Sequence, residues 1–403
     1  MSFERPYAGI KVVDMSQGVA GPYCGMLLAQ HGAEVIKVEP HAGDWSRILG
    51  PSHHNHTEFS FGTNMGKRSL AIDLKSDEAP AIIDALVGEA DVFLESFRPG
   101  VVDRLGFGHE RLRALNPALI YLSISGFGQI GSLREKPAMD PVLQAFSGFM
   151  LDNTGQDGVP HRVNSVINDM ATALYAFSAL APALYILGDG VPGRYLDISL
   201  MRGAANLSAI RYMSASKGEA VQVPRTAPSG IFQCAEGWLQ LVILQDKDFD
   251  ALCVILELND LAVDESLRGN EARLRQAPML IERVGQVLAA KPATHWRDLF
   301  TDAGLQNEML QDYPQFLAHP QAVETELFST FDLPGLEQCL PVPNPPGIPK
   351  IIDGTPAGTS PITGQHSDEI LDEMGYGAAA IAGLRRRGVI TTWTEQATEQ
   401  GAA

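Results

Sequence analysis

Short apolar runs alternate with helical patterns over the first half of the chain. The runs are IKVVDMS (10–16), AEVIKVE (33–39), SLAIDL (69–74), ADVFLES (90–96), LIYLSISGFG (119–128) and RYLDISL (194–200). Their length and their Val and Ile content predict buried strands. Helical patterns separate them at 22–32, 77–90, 109–116 and after residue 169. The alternation predicts an α/β fold with an open parallel sheet.

The pattern changes after residue 205. It predicts a strand pair at 229–244 and helices at 246–258 and 277–290. The Pro-rich stretch 341–349 is typical of a linker, and helical patterning returns at 366–374. The predicted division is a large domain over 1–205, a linker over 206–224, a smaller α+β domain over 225–330, a second linker over 331–350 and a C-terminal segment over 351–403.

Charge and cysteine content exclude several classes of partner. The 403-residue chain has a formal net charge of −18, which repels nucleic acid and anionic membrane surfaces, so we expect neither as a partner. The four cysteines show no CxxC spacing and no Cys/His cluster, so we expect no metal site. Residues 1–15 contain no apolar signal core, and we expect a cytoplasmic protein.

The turn GVAGPYCG (18–25) is similar to a dinucleotide-binding turn, since it joins a strand to a helix and Glu39 follows at the next strand end. The match to GxGxxG is poor, because Pro22 stands where the chain should pass under a pyrophosphate. The turn therefore either packs the helix on the strand or presents backbone N–H groups to a phosphate.

Basic residues recur near the predicted strand ends, where open α/β sheets bind ligands. They are Lys67, Arg68, Lys75, Arg98, Arg104, Arg134 and Lys136. Together they predict a polyphosphate site, although each one alone is typical of ordinary surface charge.

Asp169 is the one acid at the start of a long apolar segment, which predicts a buried core helix rather than a membrane span. An Asp at this point is typical of a helix N-cap. A partly desolvated carboxylate is also a competent nucleophile toward an activated acyl group. The local pattern leaves both roles open.

The ordered set of motifs resembles the family III CoA-transferases of the CaiB/BaiF superfamily, which include formyl-CoA and carnitine CoA-transferases. The matching segments are GVAGPYCGMLLAQHGAEVIKVEP, NMGKRSLAIDLK, DVFLESFRPGVVDRLGFGHERLRALNPALIYLSISGFGQ, MDPVLQAFSG, GVPHRVNSVINDMATALYAFSALAPALY and SPITGQHSDEIL. The resemblance implies a Rossmann-like large domain built from both chain ends, so that 351–403 completes it, with the smaller domain inserted. It also implies an interlocked homodimer.

The resemblance further implies the site. Asp169 matches the catalytic aspartate, and Asp140 matches an acidic position close to it. The positions that match the CoA-binding residues are Val19, Ala20, Leu74, Lys75, Phe97, Arg98, Arg104, Arg134 and Lys136. Coenzyme A is then a substrate, and no permanently bound cofactor is expected.

The implied reaction moves CoA from a donor acyl-CoA to a small carboxylic acid by a ping-pong mechanism, through an aspartyl anhydride and an aspartyl-CoA thioester. Succinyl-CoA is the donor we expect, within a dicarboxylate pair. The alternative is an acyl-CoA racemase or epimerase of the same superfamily, which uses a His/Asp pair. Met139 stands where those enzymes have the histidine, which favours the transferase.

Overall fold

The computed structural model describes residues 5–155, 158–188, 190–218 and 225–394. Its strands are β1 Lys11–Asp14, β2 Glu34–Glu39, β3 Arg68–Ile72, β4 Val92–Glu95, β5 Ile120–Ser125, β6 Tyr195–Ser199, β7 Gly230–Gln233, β8 Trp238–Val242, β9 Gln306–Met309, β10 Phe328–Phe331, β11 Leu340–Pro343 and β12 Ile390–Thr391.

Its α-helices are α1 Ala20–Gln30, α2 Glu58–Asn64, α3 Ala79–Gly88, α4 Val101–Arg104, α5 His109–Leu115, α6 Asp140–Phe146, α7 Phe149–Asp152, α8 Ile167–Tyr185, α9 Leu200–Leu207, α10 Ala209–Ala215, α11 Asp246–Ile255, α12 Asn259–Ala262, α13 Asn270–Arg275, α14 Ala277–Leu288, α15 Ala293–Asp302, α16 Tyr313–Leu317, α17 Pro320–Glu324, α18 Ser367–Glu373 and α19 Ala378–Arg386. Short 3₁₀ helices cover Trp45–Ile48, Glu265–Leu267 and Pro356–Gly358.

The chain folds into two compact units. The large unit combines Met1–Met213 with Thr325–Ala403, and the small unit is Ser214–Glu324. The large unit therefore draws on both parts of the chain that flank the small one. No helix in the described part of the chain is long and apolar enough to cross a membrane.

The large unit is built on a seven-stranded sheet with the order β12-β3-β2-β1-β4-β5-β6. Neighbouring strands run parallel, except that β12 pairs antiparallel with β3. The predicted parallel α/β sheet is confirmed. Successive residues of β1 enter opposite faces, so Val12 packs with α1 and α8, and Val13 packs with α3 and α18.

The direction of strand addition reverses at β1. From β1 the chain adds β2 and β3 on one side, and then crosses to add β4, β5 and β6 on the other. The loops after β1 and β4 consequently diverge at the carboxyl edge of the sheet. Ligands of open α/β sheets bind at such a crevice.

The small unit contains a three-stranded antiparallel sheet, β7-β8-β9, packed against α11, α14 and α15. The strand pair predicted at 229–244 is present as β7 and β8, and the two predicted helices are α11 and α14. Strand β9 was missed, because its sequence QNEM is polar and exposes alternate residues.

The structure divides the chain differently from the two predicted linkers. Helix α10 occupies part of 206–224, and residues 219–224 lie outside the described residues. Strand β11 lies within 331–350 and pairs antiparallel with β10, so the Pro-rich stretch is not simply a linker. Its prolines alternate with Leu340 and Val342, which are half-buried against the core while the prolines stay exposed. Residues 325–330, predicted in the small domain, belong to the large unit.

Candidate active site

A cleft of about 320 Å³ opens at the carboxyl ends of β1, β4 and β5, where strand addition reverses. Its walls come from the loops after these strands, from residues 134–139 and from the first turn of α8. The lining residues are Gln17, Val19, Ala20, Gly21, Trp45, Ser96, Phe97, Arg98, Pro99, Ile124, Ser125, Gly126, Arg134, Lys136, Ala138, Met139, Asp169 and Leu200.

Buried ion pairs hold the loop between β1 and α1. Lys67 Nζ lies 2.7 Å from Asp14 Oδ2, and Asp14 Oδ1 accepts a hydrogen bond from the Ser16 backbone N–H at 3.0 Å. Lys37 Nζ donates to Ser16 O at 2.9 Å and to Asp44 Oδ2 at 2.8 Å. These four charged side chains are fully buried. Each of the four charges is paired, and the hydrogen bonds of Asp14 and Lys37 to Ser16 connect these pairs to the loop beside the cleft.

The glycines of the same turn are explained by packing. Gly18 has φ +88°, and a Cβ there would lie 2.3 Å from the Trp45 ring. A Cβ at Gly21 would lie 2.3 Å from Cβ of Ser16. Side chains larger than hydrogen would therefore push the start of α1 away from β1.

The carboxylate of Glu39 already accepts hydrogen bonds from other side chains of the fold. Its Oε1 accepts hydrogen bonds from Arg47 Nη2 at 2.9 Å and from Ser69 Oγ at 2.6 Å. This carboxylate is buried and has no room for the ribose that an acid in this position holds in dinucleotide-binding folds. The hydrogen bonds of Glu39 argue against a dinucleotide site, and close packing explains the glycines of the turn.

The basic residues divide into two groups. Arg98, Arg134 and Lys136 line the cleft. Lys67 and Arg68, which were candidates for a polyphosphate site, do not: Lys67 is buried against Asp14, and Arg68 pairs on the surface with Glu34, Glu369 and Glu373. Two of the cations predicted from strand ends are thus structural.

The remaining predicted CoA positions fall into the same two classes. Val19, Ala20 and Phe97 line the cleft. Leu74 and Lys75 follow β3, and Arg104 ends α4; these three lie outside the residues that line the cleft. Lys75 and Arg104 are exposed, and Leu74 is half-buried at the margin of the core.

Asp169 lies in the first turn of α8, and it is not the helix cap. The N-cap residue is Val166, and Asp140 from α6 performs the capping. Oδ2 of Asp140 accepts hydrogen bonds from the backbone N–H groups of Asn168 at 2.6 Å and of Asp169 at 3.2 Å. The side chain of Asp169 is thereby left to line the cleft.

Asp140 is buried beneath this turn and does not line the cleft. Its second oxygen, Oδ1, accepts a hydrogen bond from Gln144 Nε2 at 2.6 Å, and Gln144 also binds Val163 on the approach to α8. The two acids, distant in sequence, are therefore coupled through the helix backbone. Sequence reasoning missed Gln144, which forms no motif with either acid.

The environment of Asp169 favours its neutral form. Burial, and secondarily the negative charge of Asp140, raise the pKa of Asp169 to about 7. A carboxyl group with this pKa is partly ionised at neutral pH, and its ionised form is more basic than that of an ordinary aspartate. Perturbed carboxyl groups in clefts are typical of catalytic sites.

Helix α8 is fixed by close helix packing on one side. A Cβ at Gly203 of α9 would lie 2.2 Å from Thr172 Oγ1, one turn after Asp169. Small residues on α8 also pack against α1, with Ala173 and Ala176 fully buried. The prediction of a buried core helix is wrong for its other side, where Leu174 and Tyr185 are 54% and 89% exposed.

Comparison with known proteins shows the family of the chain. The family described as CoA-transferase family III matches residues 7–367. The chain belongs to CoA-transferase family III. An acetyl-CoA:oxalate CoA-transferase of Acetobacter aceti is 34% identical over 324 residues, covering 78% of this chain and 83% of that protein. A succinate–glutarate CoA-transferase of Agrobacterium fabrum is 32% identical, covering 92% and 96%.

A solved structure supports the same family assignment. The CaiB/BaiF family protein from Brucella suis has a TM-score of 0.80 and 27% identity, covering 92% of this chain and 100% of that one. The family III CoA-transferase described here is accordingly an enzyme that transfers CoA. The residues that line its cleft include no histidine, which two-base racemisation would need beside the aspartate.

Proposed function

We propose that this family III CoA-transferase uses Asp169 as the nucleophile that carries the acyl group and then CoA. The observation that carries the proposal is the position of Asp169, whose carboxylate lines the cleft while Asp140 caps the helix in its place. The carboxylate of Asp169 is therefore not used to cap the helix and is available to react with a substrate. An ionised carboxylate in a desolvated cleft is a competent acyl acceptor.

The proposed reaction proceeds through four substitutions at carbonyl carbons. An Asp169 oxygen bonds to the donor thioester carbon as the C–S bond breaks, which gives an anhydride and CoA thiolate. The thiolate then bonds to the aspartyl carbon and releases the donor acid as its carboxylate. The acceptor carboxylate attacks the aspartyl-CoA thioester, which forms a second anhydride and frees the thiolate. The thiolate finally attacks the acceptor carbonyl and releases Asp169, so no net proton transfer occurs.

The elements around the cleft suit these steps. Ala20 and Gly21 at the N-terminus of α1 line the cleft, and we propose that backbone N–H groups there stabilise the oxyanion of each tetrahedral intermediate. Arg98, Arg134 and Lys136 supply local positive charge in a chain of net charge −18. We propose that they gather the CoA phosphates, and that Leu74, Lys75 and Arg104 contact CoA further along the same edge of the sheet.

We also propose that the working form is a homodimer. The exposed side of α8 carries Leu174, Tyr175 and Tyr185, which are large apolar side chains on a helix next to the active site. Exposed apolar patches of this kind mark subunit contacts. Light scattering coupled to size exclusion should give twice the monomer mass. A single-chain mass at micromolar concentration would contradict the dimer.

The donor we propose is succinyl-CoA, the donor expected from sequence. The test of the mechanism is independent of the donor's identity. The enzyme is incubated with succinyl-CoA or acetyl-CoA, quenched with hydroxylamine or borohydride, and digested for peptide mapping. The modification should fall on the peptide that contains Asp169, and Asp169→Asn should not be modified. Modification of any other carboxylate would overturn the assignment.

A further inference from the structure

One side chain joins the two loops that diverge at the cleft. Strands β1 and β4 pair up to Asp14 and Leu94, and the Met15 backbone N–H donates to Leu94 O at 2.7 Å. Beyond this point Ser96 Oγ accepts a hydrogen bond from the Gln17 backbone N–H at 2.8 Å and donates one to Gln17 O at 3.1 Å. The hydroxyl of Ser96 thus continues the pairing of the two segments where both line the cleft.

The loop after β4 is stiffened from within at its base. Glu95 is buried, and its Oε2 accepts a hydrogen bond from the Phe97 backbone N–H at 2.8 Å. This bond joins two residues of the same loop, so it restrains the shape of the loop but not its position. Among the hydrogen bonds of the described residues, those of Ser96 are the ones that join residues 95–101 to the loop after β1.

A tight turn begins at Arg98. The Val101 backbone N–H donates to Arg98 O at 3.0 Å. The ring of Pro99 restricts its own φ, and Gly100 has φ +79° and ψ −5°, the values of the third residue of a type II turn. Because both central residues are restricted, the turn has little freedom of its own. The direction of Arg98 therefore depends on where residues 95–97 are anchored.

The guanidinium of Arg98 is exposed at the cleft, and it has no ion-pair or hydrogen-bond partner in the part of the chain that the structure describes. Arg47, in contrast, is held by Glu39, and Arg68 is held by surface glutamates. The side chain of Arg98 is thus available to an anionic ligand, and its place in the cleft is set by its backbone.

We propose that Ser96 is a positioning residue for CoA. Its hydroxyl holds the loop after β4 against the loop after β1, and it thereby keeps Arg98 where the guanidinium binds the CoA phosphates. The inference rests on the contact between Arg98 and CoA proposed above. Arginine binds phosphate through N–H groups in a fixed geometry, so the affinity depends on where the guanidinium is held.

The first test is the Ser96→Ala variant, which removes the hydroxyl with little change in volume. KM for succinyl-CoA or acetyl-CoA should rise about tenfold, on the scale of lost hydrogen bonds. The kcat should stay within about threefold, because Asp169 is held by Asp140 on another wall of the cleft. A variant that was merely less stable would lose active molecules, which lowers the apparent kcat and leaves KM unchanged. An unchanged KM would overturn the proposal.

Ser329→Ala is the matched control. The hydroxyl of Ser329 donates to Ile351 O at 2.6 Å, and this residue is buried in the large unit and does not line the cleft. The variant loses a serine hydrogen bond of the same kind, so its melting temperature should fall at least as far as that of Ser96→Ala while KM stays unchanged. An equal rise of KM in both variants would show general loosening of the fold and would contradict a specific role of Ser96.

A double-mutant cycle tests whether Ser96 acts through Arg98. Calorimetric titration with CoA gives the affinities of the wild type, Ser96→Ala, Arg98→Ala and the double variant. Arg98→Ala should bind CoA at least about tenfold more weakly than the wild type. Adding Ser96→Ala to that variant should weaken binding further by less than about threefold. Additive losses would show that Ser96 does not act through Arg98.

The same titrations separate the failure of this inference from the failure of the proposed CoA contact. Weakened binding in Arg98→Ala together with unchanged binding in Ser96→Ala would overturn the role of Ser96 and keep the contact. Unchanged binding in Arg98→Ala would overturn the contact and, with it, the role of Ser96. The titrations use CoA alone and involve no acyl transfer, so the proposed nucleophile is judged separately by the trapping experiment.

Discussion

Oδ2 of Asp140 accepts a hydrogen bond from the backbone N–H of Asp169 at 3.2 Å. The negative charge of the same carboxylate raises the pKa of the Asp169 side chain. One acid thus fixes the position of the other and makes its carboxyl group harder to ionise. The two effects can be separated by mutation, because the first needs an acceptor oxygen and the second needs a negative charge.

The Asp169→Asn variant should lose kcat by about four orders of magnitude, on the scale of other lost nucleophiles. Its affinity for CoA should stay within about threefold of that of the wild type, because the amide fills the same volume. Initial rates and calorimetric titration of CoA measure the two quantities. A loss of CoA affinity equal to the loss of kcat would show that Asp169 serves binding instead.

The activity should rise with pH on an acidic limb centred near pH 7, where Asp169 ionises. Only the ionised form attacks a thioester, so activity is lost as pH falls through this value. A profile of kcat/KM between pH 5 and 9 measures the limb. A limb centred near pH 4, the ordinary range of aspartate, would contradict a perturbed Asp169.

The Asp140→Asn variant should shift that limb to lower pH, since it removes a charge that raises the pKa of Asp169. The amide oxygen of the new side chain can still accept the N–H groups that begin α8, so the helix start is kept, although the hydrogen bond from Gln144 Nε2 is lost. Asp140→Ala, which loses both the charge and the cap, should also lower the melting temperature. An unshifted limb in Asp140→Asn would show that burial alone sets the pKa.

We expect the raised pKa of Asp169 to lower the stability of the wild-type fold at neutral and alkaline pH. The pKa of Asp169 is about 7 in the fold and about 4 in the unfolded chain, so the folded state loses stability as pH rises between these values. Asp169→Asn should therefore raise the melting temperature more at pH 8 than at pH 5. Thermal unfolding at the two pH values measures the difference, and an equal effect at both would contradict it.

Lys67→Ala should destabilise the fold by about 3–5 kcal/mol, because it leaves the buried Asp14 carboxylate without its cation. Lys11→Ala is the matched control, since the Lys11–Glu89 pair is exposed and its loss should barely move the unfolding midpoint. Denaturant titrations compare the two. Equal midpoints would mean that Lys67 serves a ligand rather than the fold.

Strands β1 to β5 of the large sheet could be predicted because each is a short apolar run that is mostly buried on both faces. Strands β10 and β11 could not be predicted from the sequence. The prolines of β11 are typical of a linker, and β11 is a strand only because it pairs with β10. Strand β12 has only two residues, Ile390 and Thr391, which is too short for any periodicity.

Some features of the site could likewise be predicted from the sequence, and others could not. Arg98 and Asp169 could be placed at the cleft from motifs, as could Arg134 and Lys136. The role of Asp140 as the cap of α8 could not, because the two segments meet only in the folded chain. Lys67 has the same sequence signature as a phosphate ligand, and only the position of Asp14 shows that it is structural.

The position of β12 in the chain determines when the large unit can finish folding during synthesis. The edge of β3 is covered by Ile390 and Thr391, and Ile370 and Leu371 of α18 fill the core beneath it. These residues leave the ribosome after the whole small unit has been synthesised. Until then the nascent large unit presents an unpaired strand edge and an open core, which are the features that invite aggregation. Residues 367–391 can therefore complete the large unit only after the small unit has been synthesised.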